Sequence, residues 1–423
     1  MTAIAPPRGT KDILPSESAA WRWLLDTHRR VVEGHGYQAI ETPIFESTEL
    51  FARGVGADTD IVEKQMFTFS DRGGRSLTLR PEGTAGVVRA VAGNRLDQEI
   101  RPLRVHYAGP FFRAERPQAG RQHQFTQIGI ECIGDRSPEL DVEVIEIANS
   151  FFAGLGITGL KLQINSLGTP DDRSTYRRAL VDYYRPHRDE LCDDCRRRLE
   201  TNPLRLLDCK TDQRFVAGAP MIWDSLSEPS RVYFTAVQAG LEHAGVDGSV
   251  NPRLVRGLDY YTDTTFEFWH ETLHGAQNAL GGGGRYDGLA ELLGLPATPG
   301  IGYALGVERT LIVARALGTA PGPAPACEVV VCALGPASTL TCAAVARTLR
   351  SAGVRTVLDA SDRRLDRKLR NADRLGARVC VIVGDDEVAA GTAAIRDLRD
   401  RSQHTAPQAR LEETILSLLE TSG

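Results

Sequence analysis

The clearest alternation in the chain runs from Gln124 to Cys132. Successive side chains of an extended strand point to opposite faces. Thr126, Ile128, Ile130 and Cys132 then form one face, which reads as core, and Phe125, Gln127, Gly129 and Glu131 form the other. That second face carries an aromatic, an amide, a position without a side chain and a carboxylate. It reads as the floor of a polar pocket, with Gly129 leaving room for a ligand. A loop rich in Arg, Gln and Gly separates this strand from a preceding one that ends at Arg113. The Arg113 guanidinium is a rigid fork of donors suited to phosphate.

Elsewhere the period lengthens to that of helices. AAWRWLLDTHRRVVEGHG predicts a helix capped by Ser16 and stopped at Gly34 or Gly36. Short strand signals follow in YQAIETPIF, QMFTF and SLTLR, then a helix starting near Thr84. Residues 137–155 read as helix and KLQINSLG as strand. Between 169 and 250 the pattern becomes charged and amphipathic with few strand signals, which predicts a mostly helical insertion splitting a larger domain. Strand signals resume in LVRGLDYYTDTTFEFWH. ALGTAPGPAPA, Ala316 to Ala326, is the clearest linker. Beyond it EVVVCAL, RTVLDA, ARVCVIVG and AAIRDLRD alternate with helical stretches as a small α/β domain. The expected division is 1–168 and 251–317 for one split domain, 169–250 for the insertion, 318–326 for the linker and 327–423 for the last domain.

Composition narrows this only slightly. The 423 residues allow two or three domains with a sizeable core. No apolar run approaches the roughly 18–20 residues that span a bilayer, and MTAIAPPRGTKDILP lacks a signal-peptide pattern. A cytoplasmic protein without a membrane partner is the expectation, with its eight cysteines as thiols. A net charge of −5 argues against wholesale polyanion binding but leaves room for a local basic surface.

No GxxxxGK loop occurs, and no GxGxxG follows a strand. A nucleotide would therefore meet arginines on an antiparallel sheet. TLRPEGT sets Glu82, Gly83 and Thr84 at a strand-to-helix turn, beside helix N–H groups expected to be free. LVRGLDYYTDTTFEF places Arg256, Tyr260 and Tyr261 just before a strand. GIGYALGVERTL leads three glycines into a helix carrying Arg309.

These segments resemble the motifs of class II aminoacyl-tRNA synthetases. RGLDYYTDTTFEF and GGGGRYDGL resemble the histidyl-tRNA synthetase family specifically, and the likeness runs from RGTKDILP at Arg8 to the last domain. The resemblance implies an α+β fold: a class II antiparallel-sheet catalytic domain with a helical insertion, plus a C-terminal α/β anticodon-binding domain. It implies a ligase that joins L-histidine to ATP, with Mg²⁺, and then to tRNA(His). It also implies a homodimer, with the segment around TPIFESTELF at its interface.

Residue by residue, the resemblance gives Arg113 the α-phosphate and the amino-acid carboxylate, Arg309 the γ-phosphate, and Arg256 the opposite side of the α-phosphate. Glu115 and Phe125 match adenine-binding positions. Glu82, Thr84 and Gln127, with Gly83 between the first two, match the cradle of the α-amino group. Glu131 and Tyr261 match the pair that grips the imidazole nitrogens, with Tyr260 and Tyr286 shaping the pocket. Arg121 lies in the loop that meets the acceptor stem. A site pairing both ring nitrogens discriminates by roughly 10⁴–10⁵ without editing, so no editing domain is expected. The rival reading is a synthetase-like regulatory subunit of histidine biosynthesis, opposed by the retained Arg113, Arg309 and last domain.

Two features stand outside that set. Cys192, Cys195 and Cys209, with His187 upstream, have the residue types of a zinc site but only three sulfurs. The reading preferred on sequence is reduced thiols packed in the insertion, with no metal assigned. DRRLDRKLRNADRLGAR has seven basic and three acidic residues on a predicted helix. With an anticodon-binding domain implied there, Arg367 and Lys368 are expected to meet the tRNA backbone.

Overall fold

The computed structural model describes residues 4–56, 59, 61–115, 122–207, 209, 211–255, 257–273 and 279–420. The chain divides between Pro321 and Gly322 into two compact units.

The first unit is organised by an eight-stranded sheet. From edge to edge its strands are Gln38–Ala39, Leu103–Phe112, Gln124–Ile133, Gly300–Gly306, Ala279–Arg285, Thr262–Trp269, Lys161–Ser166 and Gly248–Val250. The six central strands pair antiparallel, and only the two short edge strands run parallel to their neighbours. One face packs on the helices Pro15–Gly34, Pro138–Gly154, Glu228–His243 and Val307–Ala316 around Ile128, Ile130, Phe266 and Phe268. The opposite face is the one that carries polar side chains. A three-stranded sheet of Phe45–Ser47, Ser76–Leu79 and Thr68–Ser70 completes the unit.

Arg285 fixes a corner of the sheet. It is fully buried and paired with the equally buried Asp141, with Nε–Oδ1 at 3.0 Å, and also bonds Asp287 and the carbonyls of Asp135 and Ser137. Leaving either charge alone there would cost several kcal/mol, about 3–5 for a buried pair.

Two boundaries differ from the sequence reading. The first helix starts at Pro15 with Leu14 as its cap residue, so Ser16 lies inside the helix and does not cap it. Proline suits that first position because its missing N–H would be unpaired anyway. The insertion is also shorter than 169–250. Its own buried cluster runs from Tyr176 to Leu226, whereas Phe234, Val237 and Leu241 of the next helix join the main core and Gly248–Val250 joins the main sheet.

The second unit holds a five-stranded sheet in the order Thr356–Asp359, Val329–Leu334, Val379–Gly384, Thr392–Asp397, Gln403–Pro407. The first three strands are parallel and the last two antiparallel. Val329, Val331 and Val381 face one buried cluster, while Val330, Cys332 and Cys380 face another. Burial on both faces explains why these strands read as unbroken apolar runs. Among the described residues, no helix is long and apolar enough to cross a membrane.

Candidate functional site

A cavity of about 750 Å³ opens on the polar face of the large sheet. Its wall gathers segments distant in sequence: Glu82, Gly83 and Thr84; Arg113 and Glu115; Phe125 and Gln127; Tyr260, Tyr261 and Tyr286; and Arg309. All were singled out from the sequence. Arg256 and Arg121, also singled out, lie outside the described residues.

Glu82 turns the strand-to-helix corner into a closed cap. Its carboxylate accepts the N–H groups of Thr84 at 2.8 Å and Ala85 at 3.0 Å, and the Tyr260 hydroxyl at 3.3 Å. The helix N–H groups expected to be free for a ligand are thus partly used by the protein itself. Burial raises the Glu82 pKa against the lowering effect of those two backbone bonds. Gln127 has the opposite character: its Oε1 is buried on the cavity wall without a hydrogen-bond partner. An unsatisfied buried acceptor costs about 1–3 kcal/mol, which a donor on a ligand would recover.

Glu131 is only 1% exposed. Its carboxylate accepts hydroxyls from Tyr286 at 2.6 Å, Thr84 at 2.8 Å and Tyr107 at 3.3 Å. Burial pushes its pKa up to about 8, against the lowering effect of the Tyr286 and Thr84 bonds. Once ionised, a carboxylate has about four acceptor sites, so three hydroxyls leave one. Gly302 lies opposite Glu131 on the neighbouring strand, and a methyl group there would overlap the carboxylate. Gly129 does something other than expected. A Cβ on it would sit 2.5 Å from the Tyr107 hydroxyl, so the missing side chain makes room for Tyr107 and not for a ligand.

On another part of the wall, the Arg113 guanidinium lies 5.3 Å from the centre of the Phe125 ring, with Nε donating to the Pro81 carbonyl at 2.9 Å. Its Nη1 is 3.9 Å from the Glu115 carboxylate. Arg309 Nη1 donates to the Ala279 carbonyl at 2.7 Å, across Ala279–Arg285. That GGGGR segment is a sheet strand whose Gly281 and Gly282 line the cavity. The wall thus combines a buried carboxylate and phenols with arginines and the Phe125 ring.

Sequence reading missed several wall residues. Gln163 accepts from Asn251 Nδ2 at 2.8 Å, and both line the cavity with Glu267. The signal was present: Glu267 stands between the core residues Phe266 and Phe268, as Gln163 does between Leu162 and Ile164. Arg205 of the insertion also reaches the wall, and Arg253 Nη1 is buried there without a hydrogen bond. HETLH, His270 to His274, spells the HExxH zinc pattern, a match that reading the sequence had wrongly excluded. It forms no described helix. His270 pairs with the Thr158 carbonyl and the Thr272 N–H, and Glu271 with Lys161.

A model described as histidyl-tRNA synthetase matches residues 9–170 and 210–310. The chain belongs to the histidyl-tRNA synthetase family. A model described as anticodon binding domain matches residues 328–418. The histidine–tRNA ligase of Pelotomaculum thermopropionicum is 48% identical over 93% of this chain and 92% of its own length. That of Mycobacterium marinum is 47% identical over 99% of this chain and 100% of its own. Apo histidyl-tRNA synthetase from S. aureus superposes with a TM-score of 0.83 at 35% identity, covering 98% of this chain and 100% of that one.

The anticodon-type unit corrects one expectation. Lys368 points inward and is fully buried, its Nζ donating to the carbonyls of Ala333 at 2.6 Å and Asp359 at 3.0 Å. It ties the ends of two parallel strands together and has no surface to offer a phosphate. Arg367 is exposed, as are Arg363, Arg364, Arg370 and Arg374 on the same segment. The zinc candidate changes too. His187 stands apart, stacked 4.7 Å from Phe215, while Asp212 joins the three cysteines.

Proposed function

We propose that this chain is a histidine–tRNA ligase, joining L-histidine to ATP and passing the histidyl group to the 3′-terminal ribose of tRNA(His). The observation that carries the reading is one chamber in which Glu82, Thr84, Arg113, Phe125, Tyr260, Tyr286 and Arg309 converge.

Histidine enters with its carboxylate already ionised at pH 7, so it needs no general base to attack the α-phosphorus. A new P–O bond to histidine forms as the bond to pyrophosphate breaks. Catalysis then rests on alignment and on neutralising phosphate charge. Arg113 meets the α-phosphate and the carboxylate, Arg309 the γ-phosphate, and Arg256 the far side of the α-phosphate. Phe125 and Glu115 receive adenine, and ATP arrives as its magnesium complex. The ammonium group of histidine satisfies the Gln127 carbonyl and lies beside Glu82 and Thr84. Glu131 takes a ring N–H through its remaining acceptor site, while Tyr261 serves the other nitrogen and Tyr260 and Tyr286 close the walls. Arg121 and the exposed arginines around Arg367 meet tRNA.

The protein acts as a homodimer in the cytoplasm. Phe45 and Phe69 support the dimer: both rings are exposed on the three-stranded sheet, their centres 6.2 Å apart. Exposed paired aromatics of this kind mark contact surfaces. Charging of a tRNA(His) transcript with labelled histidine tests the whole reading. Stable histidyl-tRNA is expected, and histidine binding without charging would favour the regulatory-subunit alternative.

A further inference from the structure

We propose that Cys192, Cys195, Cys209 and Asp212 hold a structural zinc ion inside the helical insertion. One ligand atom from each residue lies within 4.8 Å of all the others. Cys192 Sγ and Cys209 Sγ are 3.8 Å apart, as are Cys209 Sγ and Asp212 Oδ2. Tetrahedral zinc with bonds of about 2.3 Å to sulfur requires sulfur–sulfur edges of about 3.8 Å. The set needs only a small contraction to close around the ion.

The surroundings fit a closed site. Cys192 caps the helix Asp193–Thr201 and Cys195 lies in its first turn. Cys209 and Asp212 come from the approach to the short helix Gln213–Val216. Asp212 Oδ2 accepts the Cys192 N–H at 3.0 Å, which orients the carboxylate toward the sulfurs. Three thiolates and one carboxylate oxygen complete four-coordination by protein alone, the mark of a structural and not a catalytic zinc. A disulfide would join only two of the sulfurs, at about 2.05 Å, and would leave the third cysteine and the carboxylate unexplained.

Such an ion has work to do here. The insertion has short elements and a small buried cluster of its own, and small cores commonly rely on a metal or disulfide staple. Between the two halves of the metal set, Asn202 Nδ2 donates to Asp259 at 3.0 Å, immediately before Tyr260. Arg205, in the same stretch, lines the substrate chamber. Zinc would therefore fix a segment that forms part of the chamber wall. The match to the histidyl-tRNA synthetase model passes over residues 171–209, so the three sulfurs fall outside it.

The test is metal analysis and zinc-edge X-ray absorption of the full-length protein, grown with added zinc and purified without chelator. About one zinc per chain, with a shell of three sulfurs and one oxygen, is expected. Cys192→Ser combined with Cys209→Ser should abolish retention. Less than about half an equivalent of zinc, a shell without sulfur, or a Cys192–Cys209 disulfide in the unreduced peptide map overturns the proposal. The absorption spectrum of the unmodified protein decides the matter even where the double variant does not fold.

Discussion

Glu131 sits out of water among three hydroxyl donors, and its burial sets its chemistry. With its folded-state pKa near 8 and an ordinary value of 4.5, the proton stays on at neutral pH while the chamber is empty. The sign follows from linkage. This group stabilises the ligand-free fold fully below pH 4.5, and that contribution is lost as pH rises through about 8. An imidazole N–H donated to the carboxylate favours its charged form and lowers its pKa. Histidine binding at pH 7 should then release a proton, and the release should fade above about pH 9, where the free carboxyl is already ionised. Calorimetry in buffers of different ionisation heat measures it; a binding heat independent of buffer at pH 7 would contradict the proposed contact.

At the scale of elements, periodicity made the strand Gln124–Ile133 legible, including which face is core. In the last unit unbroken apolar runs, not alternation, marked the strands Val329–Leu334 and Val379–Gly384, and the polar edge strand Gln403–Pro407 carried no such signal. What periodicity could not convey was the content of a neighbouring strand. Gly129 looked like ligand space because nothing in its own segment reveals that Tyr107 fills the gap. Lys368 looked like surface because a helix of alternating charges hides one inward position, where a cation can pair with two strand-end carbonyls. Asp212 was missed because metal-ligand spacing draws attention to sulfur and imidazole, while a carboxylate carries no comparable signal. The helix Leu365–Arg374 gives a direct contrast. Arg367→Ala should reduce the salt slope of tRNA binding by about one while leaving the melting temperature unchanged. Lys368→Ala should instead destabilise its unit by about 2–4 kcal/mol by stranding two carbonyls and Asp359. Equal melting curves for the two variants would refute the distinction.

For the whole molecule, the large sheet divides labour between its faces: helices cover one, and the other holds the chamber. The long sequence separations among wall residues follow from that topology, since neighbouring strands 124–133 and 300–306 are far apart in the chain. The exposed rings of Phe45 and Phe69 are the proposed meeting surface of two copies. Phe45→Glu should shift the sedimenting species from dimer toward monomer, and an unchanged dimer would place the interface elsewhere.

Everything proposed for this chamber requires that it activate histidine with ATP. Exchange of labelled pyrophosphate into ATP tests it most directly, with histidine and then with each other amino acid in turn. Exchange dependent on histidine alone is the predicted result. No exchange from protein that still binds histidine, or exchange driven equally well by another amino acid, would contradict it.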